Sequence, residues 1–315
     1  MPDGNVPIVV ADSRRLLGLS TIVVWVARAA WLVVAIVGGD AIGQALADRS
    51  RALQFAGTIG SWVGWGMGAA ALAVAGVVTL TVARSVIPAS LVVAAAALIG
   101  GTEPGAGGAL VVPAAVAAAA VCSAEFGRVY IQASAYGDEQ RFGLRPPIGY
   151  LVASAVSWLA TATALVITPL AWAANAWFLA VAVTVVAAAG LALLPIRWHQ
   201  LSRRWLVLVP AGVVVHDPVV LNDTLMIPSR TIVSVTLDEL GIASQTAADL
   251  TGPTPGLGVE ITLAESTSVV FAATPSNPTG RVIHLTALVV SPTRPGSVIR
   301  AARRVGTARP GGRDG

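Results

Sequence analysis

The chain has 315 residues, of which 55% are hydrophobic and only 11% charged, and its formal net charge is +4. Ordinary soluble domains carry about 25% charged residues, so this balance excludes a wholly soluble protein. The one cysteine, Cys122, excludes an intramolecular disulfide, and every basic residue is arginine, with no lysine anywhere.

Residues 1–13 read as a disordered tail. Apolar runs of about 18 or more residues, nearly free of charge, are the signature of transmembrane helices. Six such runs follow, at 16–37, 57–83, 85–100, 107–124, 148–170 and 176–196. They predict an all-α membrane bundle over residues 14–198. The first run has full span length and no small-residue cleavage site after it, so no cleaved signal peptide is expected. Only Arg84 and Ser85 separate the second run from the third, which allows either a tight hairpin or one bent helix. The segment 40–55 carries Ile42, Ala45, Leu46 and Leu53 at near-helical spacing and is expected to lie along the interface.

Arginine placement sets the expected orientation. With the N-terminus in the cytoplasm, Arg14, Arg15, Arg84, Arg128, Arg141, Arg145, Arg197, Arg203 and Arg204 fall inside, and only Arg49 and Arg51 outside. Both termini are therefore expected in the cytoplasm of a cell whose plasma membrane holds the bundle.

Inside the spans, Arg28 stands between Trp25 and Trp31, three residues from each and on one helical face. A mid-membrane arginine needs a partner. It either contacts an anion or gates a path, or it stacks on tryptophan and bonds backbone carbonyls. Gly60, Gly64 and Gly68 make a flat face for a neighbouring helix, in the same chain or in a second copy. Ser154, Ser157, Thr161 and Thr168 form a hydroxyl stripe that either lines a polar path or bonds its own preceding turns. No span holds histidine or a central carboxylate, which argues against a proton-coupled pump.

The loop between the fourth and fifth runs holds Glu125, Arg128, Asp138, Glu139, Arg141 and Arg145. Glu125 and Arg128 are three apart where the fourth helix can continue, and an ion-pair cluster is the expected role of Asp138 and Glu139 beside Arg141 and Arg145. Asp138 lies outside a span, and the other Gly-Asp pair, at Asp40, falls on the opposite face, so an aspartyl protease pair is excluded.

After Arg197 the apolar runs shrink to strand length and alternate with polar residues. Strands are expected at 204–209, 213–217, 224–227, 231–237, 258–263, 268–272 and 282–290. The first two flank Pro210-Ala211-Gly212, a hairpin turn. A helix is expected at 295–305, with proline in its first turn and arginines toward its end. The stretch 241–257 reads as a loop and residues 306–315 as a disordered tail. The β-rich domain is thus expected over 199–305.

Seven strands closed by one helix, opening with Arg204-Trp-Leu-Val-Leu-Val-Pro-Ala-Gly-Val-Val-Val and then Ile227-Pro-Ser-Arg-Thr-Ile-Val-Ser-Val, resemble the pleckstrin-homology-like (PH-like) barrel of bacterial membrane proteins. The whole chain also resembles multi-pass membrane proteins of high-GC actinobacteria for which no activity is established. Eukaryotic relatives of the barrel bind phosphoinositides through basic residues in the first hairpin, but here that turn is Pro-Ala-Gly.

Between Trp205 and Pro295 three arginines face seven carboxylates, so the domain body is acidic and does not suit nucleic acid. Its basic residues sit at the ends, Arg203/Arg204 and Arg300/Arg303/Arg304, where an anionic leaflet would meet them. His199, His216 and His284 lack metal-ligand spacing, and no phosphate loop, nucleophile elbow or metal motif is present. No cofactor, metal or catalytic residue is expected. The sequence points to a non-enzymatic membrane protein whose bundle anchors a cytoplasmic PH-like domain. Expected partners are the lipid bilayer, proteins bound through that domain, and a second copy through the Gly60/Gly64/Gly68 face. A small transporter or channel component using Arg28 and the hydroxyl stripe is the alternative.

Overall fold

The computed structural model describes residues 7–239, 247–252, 254, 256–272 and 281–305. The chain divides into two compact units: a helical one, Met1–Tyr130 with Val156–Pro195, and a β-rich one, Ile131–Ala155 with Ile196–Gly315.

Among the described residues five helical stretches are long and apolar enough to cross a membrane: Ser20–Leu46, Val77–Ile99, Pro104–Cys122, Ile148–Ala173 and Trp177–Ser202. The first belongs to α1, a 40-residue helix over Pro7–Leu46. At about 1.5 Å per residue, a helix of this length is roughly twice as long as the hydrocarbon core is thick. Two expectations change here. Residues 7–13 are helical and not a tail, and residues 40–46 continue the helix and do not turn along an interface. The reason is packing. Val24, Ala27, Trp31, Val34, Ala41 and Ala45 recur at helical spacing and all are buried, so the apolar face runs unbroken past Asp40.

α2 (Arg51–Ala73) opens with Ser50, whose hydroxyl accepts from the Leu53 amide at 3.4 Å. Glycine-rich and less apolar, it stands outside the group of five. The helix expected at 57–83 is in fact broken at residues 74–76, where Val74 is extended and Gly76 starts a new helix, α3 (Val77–Val86). The connection expected at Arg84–Ser85 therefore lies inside α3. α3 continues into α4 (Ala89–Ile99) through Ile87 and Pro88, which keep helical angles. Proline lacks the N–H that would bond the preceding turn, so the hydrogen-bond ladder is interrupted there. α5 (Pro104–Cys122) carries proline at its start and ends at Ser123, where α6 (Ala124–Gln132) sets off anew. α7 (Ile148–Ala173) and α8 (Trp177–Ser202) form the last hairpin, whose turn holds Asn175 in the left-handed region.

Alanine is what lets these helices approach closely. α1 packs along α5, where Ala114, Ala117, Ala118 and Val121 are buried. α7 and α8 are far more open: Val156, Leu159, Phe178, Val181, Val185 and Leu193 are all exposed, as side chains facing lipid would be.

Among the described residues the β-rich unit holds eight strands in two four-stranded sheets. β1 (Gln140–Gly143), β2 (Trp205–Val209), β3 (Gly212–His216) and β4 (Leu225–Pro228) follow one another in the first sheet, all antiparallel. In the second sheet β5 (Ile232–Glu239) pairs with β7 (Leu257–Phe271), β7 with β8 (Arg281–Val290), and β8 in parallel with β6 (Ala248–Asp249). The sheets are not closed into a barrel. They meet at two corners, through isolated bridges between Leu221 and Phe271 and between Leu144 and Pro292. The strands expected at 258–263 and 268–272 are one bent strand, β7, whose register against β8 shifts between Thr262 and Thr267. α9 (Pro295–Val305) buries Val298, Ile299, Ala301 and Ala302 in a core shared with both sheets.

β1 was not expected as a strand. It comes from the loop between α6 and α7, and it pairs Gln140 with Leu208 and Gly143 with Trp205. The β-rich unit is thus assembled from two separate stretches of chain. The ladder ties the start of α7 to the end of α8.

Candidate functional site

The ends of the broken helices decide where the arginines of the bundle go. A helix leaves its last four carbonyls without intrahelical partners and carries partial negative charge there. α2 stops at Ala73, and Arg28 Nε and Nη2 both donate to the Leu72 carbonyl, at 3.0 and 2.8 Å. The Arg28 guanidinium also lies 5.0 Å from the Trp25 ring centroid. Tyr130, buried on α6, donates its hydroxyl to the Ala71 carbonyl at 3.2 Å and stacks on Phe126 with ring centroids 4.2 Å apart. One level along, Trp31 and Trp65 each donate an indole N–H to the other's carbonyl, both at 3.0 Å.

Two further arginines repeat the pattern. Arg84 donates to the Val121 carbonyl at 3.1 Å and to the Ser123 carbonyl at 3.3 Å, at the end of α5. Arg49 reaches the Gly100 carbonyl, past the end of α4, at 3.4 Å. Arg128 bonds the Ser20 hydroxyl instead, and Glu125 sits half-buried in the first turn of α6.

The glycine face splits. A Cβ at Gly68 would stand 2.5 Å from the Trp31 ring, so this position is glycine because Trp31 packs on its backbone. Gly60 and Gly64 have nothing within 4 Å of where a Cβ would be. The hydroxyl stripe on α7 is turned inward on its own helix. Thr161 donates to the Ser157 carbonyl at 2.8 Å and Thr168 to the Ala164 carbonyl at 2.7 Å. Thr161 also fills the space a side chain at Gly190 of α8 would need. Ser154 is half-buried on the same helix.

In the β-rich unit the loop charges do not form one cluster. Glu139 pairs with Arg141, and its second carboxylate oxygen accepts from the Tyr136 amide at 3.3 Å. Those bonds hold the Glu139 carboxyl below its ordinary range, the Arg141 hydrogen bond being the largest cause. Asp138 is exposed. Arg145 reaches the Leu257 carbonyl, on the other side of the unit's core.

Arg141, Trp205 and His216, which the sequence does not bring together, form a stack on the first sheet. The Arg141 guanidinium lies 5.2 Å from the Trp205 ring centroid, and Trp205 stacks on His216 at 5.0 Å. His216 Nδ1 is 2.9 Å from the Thr224 hydroxyl and Nε2 is 3.4 Å from Arg203 Nη2. Burial, then Arg203, push the His216 imidazole below its ordinary pKa; Asp217 pulls it upward, and Arg141 adds a smaller push down.

Beneath it lies a buried ion pair. Arg204 donates to both oxygens of Asp217, Nε at 2.8 Å and Nη2 at 2.6 Å, and both side chains are fully inaccessible to solvent. Arg204 Nη1 donates to the Arg145 carbonyl at 2.7 Å, while Asp217 accepts from the Val219 and Val220 amides. The alternation of β2 offers no warning of it, because an arginine beside a strand normally points to solvent.

Among the described residues no group of His, Cys, Asp and Glu is arranged to hold a metal ion. What the arrangement offers is fastening: guanidinium to carbonyl in the bundle, guanidinium to carboxylate in the β-rich unit. Comparison with family models, with curated proteins and with solved structures finds no match to this chain.

Proposed function

We propose that this is an integral membrane protein whose six-span bundle, with α2 as the sixth crossing, anchors a cytoplasmic PH-like β domain that binds proteins or the membrane surface. The observation that carries the reading is the composite origin of the β-rich unit: the α6–α7 loop supplies β1 while the end of α8 leads into β2. A loop built into a domain's sheet ties that domain to the chain at two points, which suits an anchor. The arginine bias places both termini in the cytoplasm. A PH-like architecture accords with two largely antiparallel sheets and a C-terminal helix on one core.

The transport reading is weaker. Arg28 is engaged by Leu72 and Trp25, and Thr161 and Thr168 bond their own helix. Photocrosslinking from Met226 and Leu237, exposed on the β-rich unit of the full-length chain in native membranes, tests the anchor. Defined protein or lipid adducts are expected, and their absence at both positions would count against it. Arg28→Leu separates the readings: the protein should insert and fold, with stability changed by about 1 kcal/mol or less. A solute flux in reconstituted vesicles that this substitution abolishes would establish a transporter. For topology, Ala47→Cys should react from outside the cell and Ser266→Cys only after permeabilisation.

A further inference from the structure

α9 sorts its residues by face. Val298, Ile299, Ala301 and Ala302 enter the core, while Arg303 and Arg304 are exposed and Arg300 is half-exposed. Spacings of three and four put these three arginines on one stripe of the helix. From Thr293 to Val305 the chain holds no carboxylate at all. The sheets carry the opposite balance: from Trp205 to Pro295 the charges are Arg230, Arg281 and Arg294 against Asp217, Asp223, Asp238, Glu239, Asp249, Glu260 and Glu265. The β-rich unit therefore has an acidic stretch over its sheets and cationic residues at its ends, Arg203 before β2 and the arginine stripe on α9.

We propose that the arginine stripe of α9 is a docking surface for the anionic lipid headgroups of the bilayer that carries the bundle. This rests on the reading of the chain as membrane-anchored. Guanidinium groups pair with phosphate oxygens through two parallel hydrogen bonds. A cationic helix face free of carboxylates is attracted to a surface of negative charge. An acidic protein would satisfy the same chemistry. The leaflet is favoured because only Arg203 and Arg204 separate the end of the last span, at Ser202, from β2. Such a tether keeps lipid phosphate at high effective concentration, so contacts too weak for a free domain suffice.

The test uses the full chain with Ser297→Cys in a Cys122→Ser background, a polarity-sensitive dye on the new thiol, reconstituted into vesicles. Vesicles of phosphatidylcholine with phosphatidylglycerol should blue-shift the emission relative to phosphatidylcholine alone. About 0.5 M NaCl should reverse the shift, because the Debye length falls to a few ångström. R300Q/R303Q/R304Q should lose it, with headgroup affinity falling roughly fivefold per arginine. The triple lysine variant, which keeps the charge, should retain it, so a loss caused by misfolding is told apart from a loss of charge. Equal emission in the two lipids, or a shift that survives the glutamine variant, overturns the proposal. A shift produced by a polyglutamate peptide in phosphatidylcholine but not by phosphatidylglycerol also overturns it. That result would leave the anchor reading standing with an acidic protein as partner.

Discussion

The two units bury arginine in opposite ways. In the helical unit Arg28 and Arg84 meet no carboxylate; they bond the carbonyls of Leu72, Val121 and Ser123, at the ends of helices that stop early. In the β-rich unit Arg204 meets Asp217 directly, both at full burial. The difference follows from what each fold leaves unpaired. A broken helix presents a cluster of free carbonyls with partial negative charge, which a guanidinium can cap without bringing a second charge into an apolar region. A sheet pairs its own backbone and presents no such end, so a buried cation there must be matched by an anion.

The largest effect should come from breaking the ion pair. Asp217→Ala leaves Arg204 buried with only the Arg145 carbonyl, and losses of about 3–5 kcal/mol are usual for one half of such a pair. Urea unfolding of the β-rich unit should move accordingly. Replacing both partners, as Arg204→Met with Asp217→Leu, should recover most of the loss. If the single and double variants are equally unstable, the pair is not what the site depends on.

Next in size is removal of β1. A fragment beginning at Arg203 lacks Gln140–Gly143 and the buried Leu144, whose burial alone is worth about 1.5–3 kcal/mol. It also bares the outer edge of β2. Such a fragment should unfold at lower urea than one with residues 136–147 fused in front, and should aggregate more readily. Equal stability of the two would reduce β1 to decoration.

Smaller again is the contrast between two glycines of one face. Gly68→Leu drives a side chain into Trp31 and should cost about 1–3 kcal/mol in detergent. Gly60→Leu, with open space around it, should stay within about 0.5 kcal/mol. A change of oligomeric state in the Gly60 variant alone would reveal a second copy on that face.

The smallest effect concerns pH. The imidazole of His216 is held below 6.5, so the folded state prefers it neutral. Stability is full above 6.5 and declines as acid protonates the unfolded chain first. Half-exposure and solvent screening keep the loss to a fraction of a kcal/mol. His216→Gln should flatten this slope without moving the Glu139-dependent loss, which begins below 4.5, the ordinary glutamate value.

Much of the β-rich unit was legible in the sequence, because alternation and turn residues act locally. β2, β3, β4, β5 and α9 begin and end within two residues of their expected places. β1 was not legible: Gln-Arg-Phe-Gly has no alternation of its own and becomes a strand only because β2 offers it an edge. In the bundle, hydropathy marked the five helical stretches long and apolar enough to cross a membrane but not the break at residues 74–76, since an apolar run continues through it. With that break hidden, the sequence allowed backbone carbonyls and tryptophan as partners of Arg28 but could not single out the carbonyl of Leu72. Asp217, at the end of the strand expected over 213–217, gave no sign of its pairing: it accepts from the Val219 and Val220 amides, and its buried partner, Arg204, lies thirteen residues earlier, just before β2.

The ladder between β1 and β2 has a temporal meaning. Gln140 cannot find Leu208 until the ribosome has made both helices that lie between them. If α7 or α8 were left uninserted, the two strands would be held apart and the first sheet would lack its edge. Completion of the β-rich unit is thus a check that the last hairpin has been inserted correctly, made by the chain itself after synthesis.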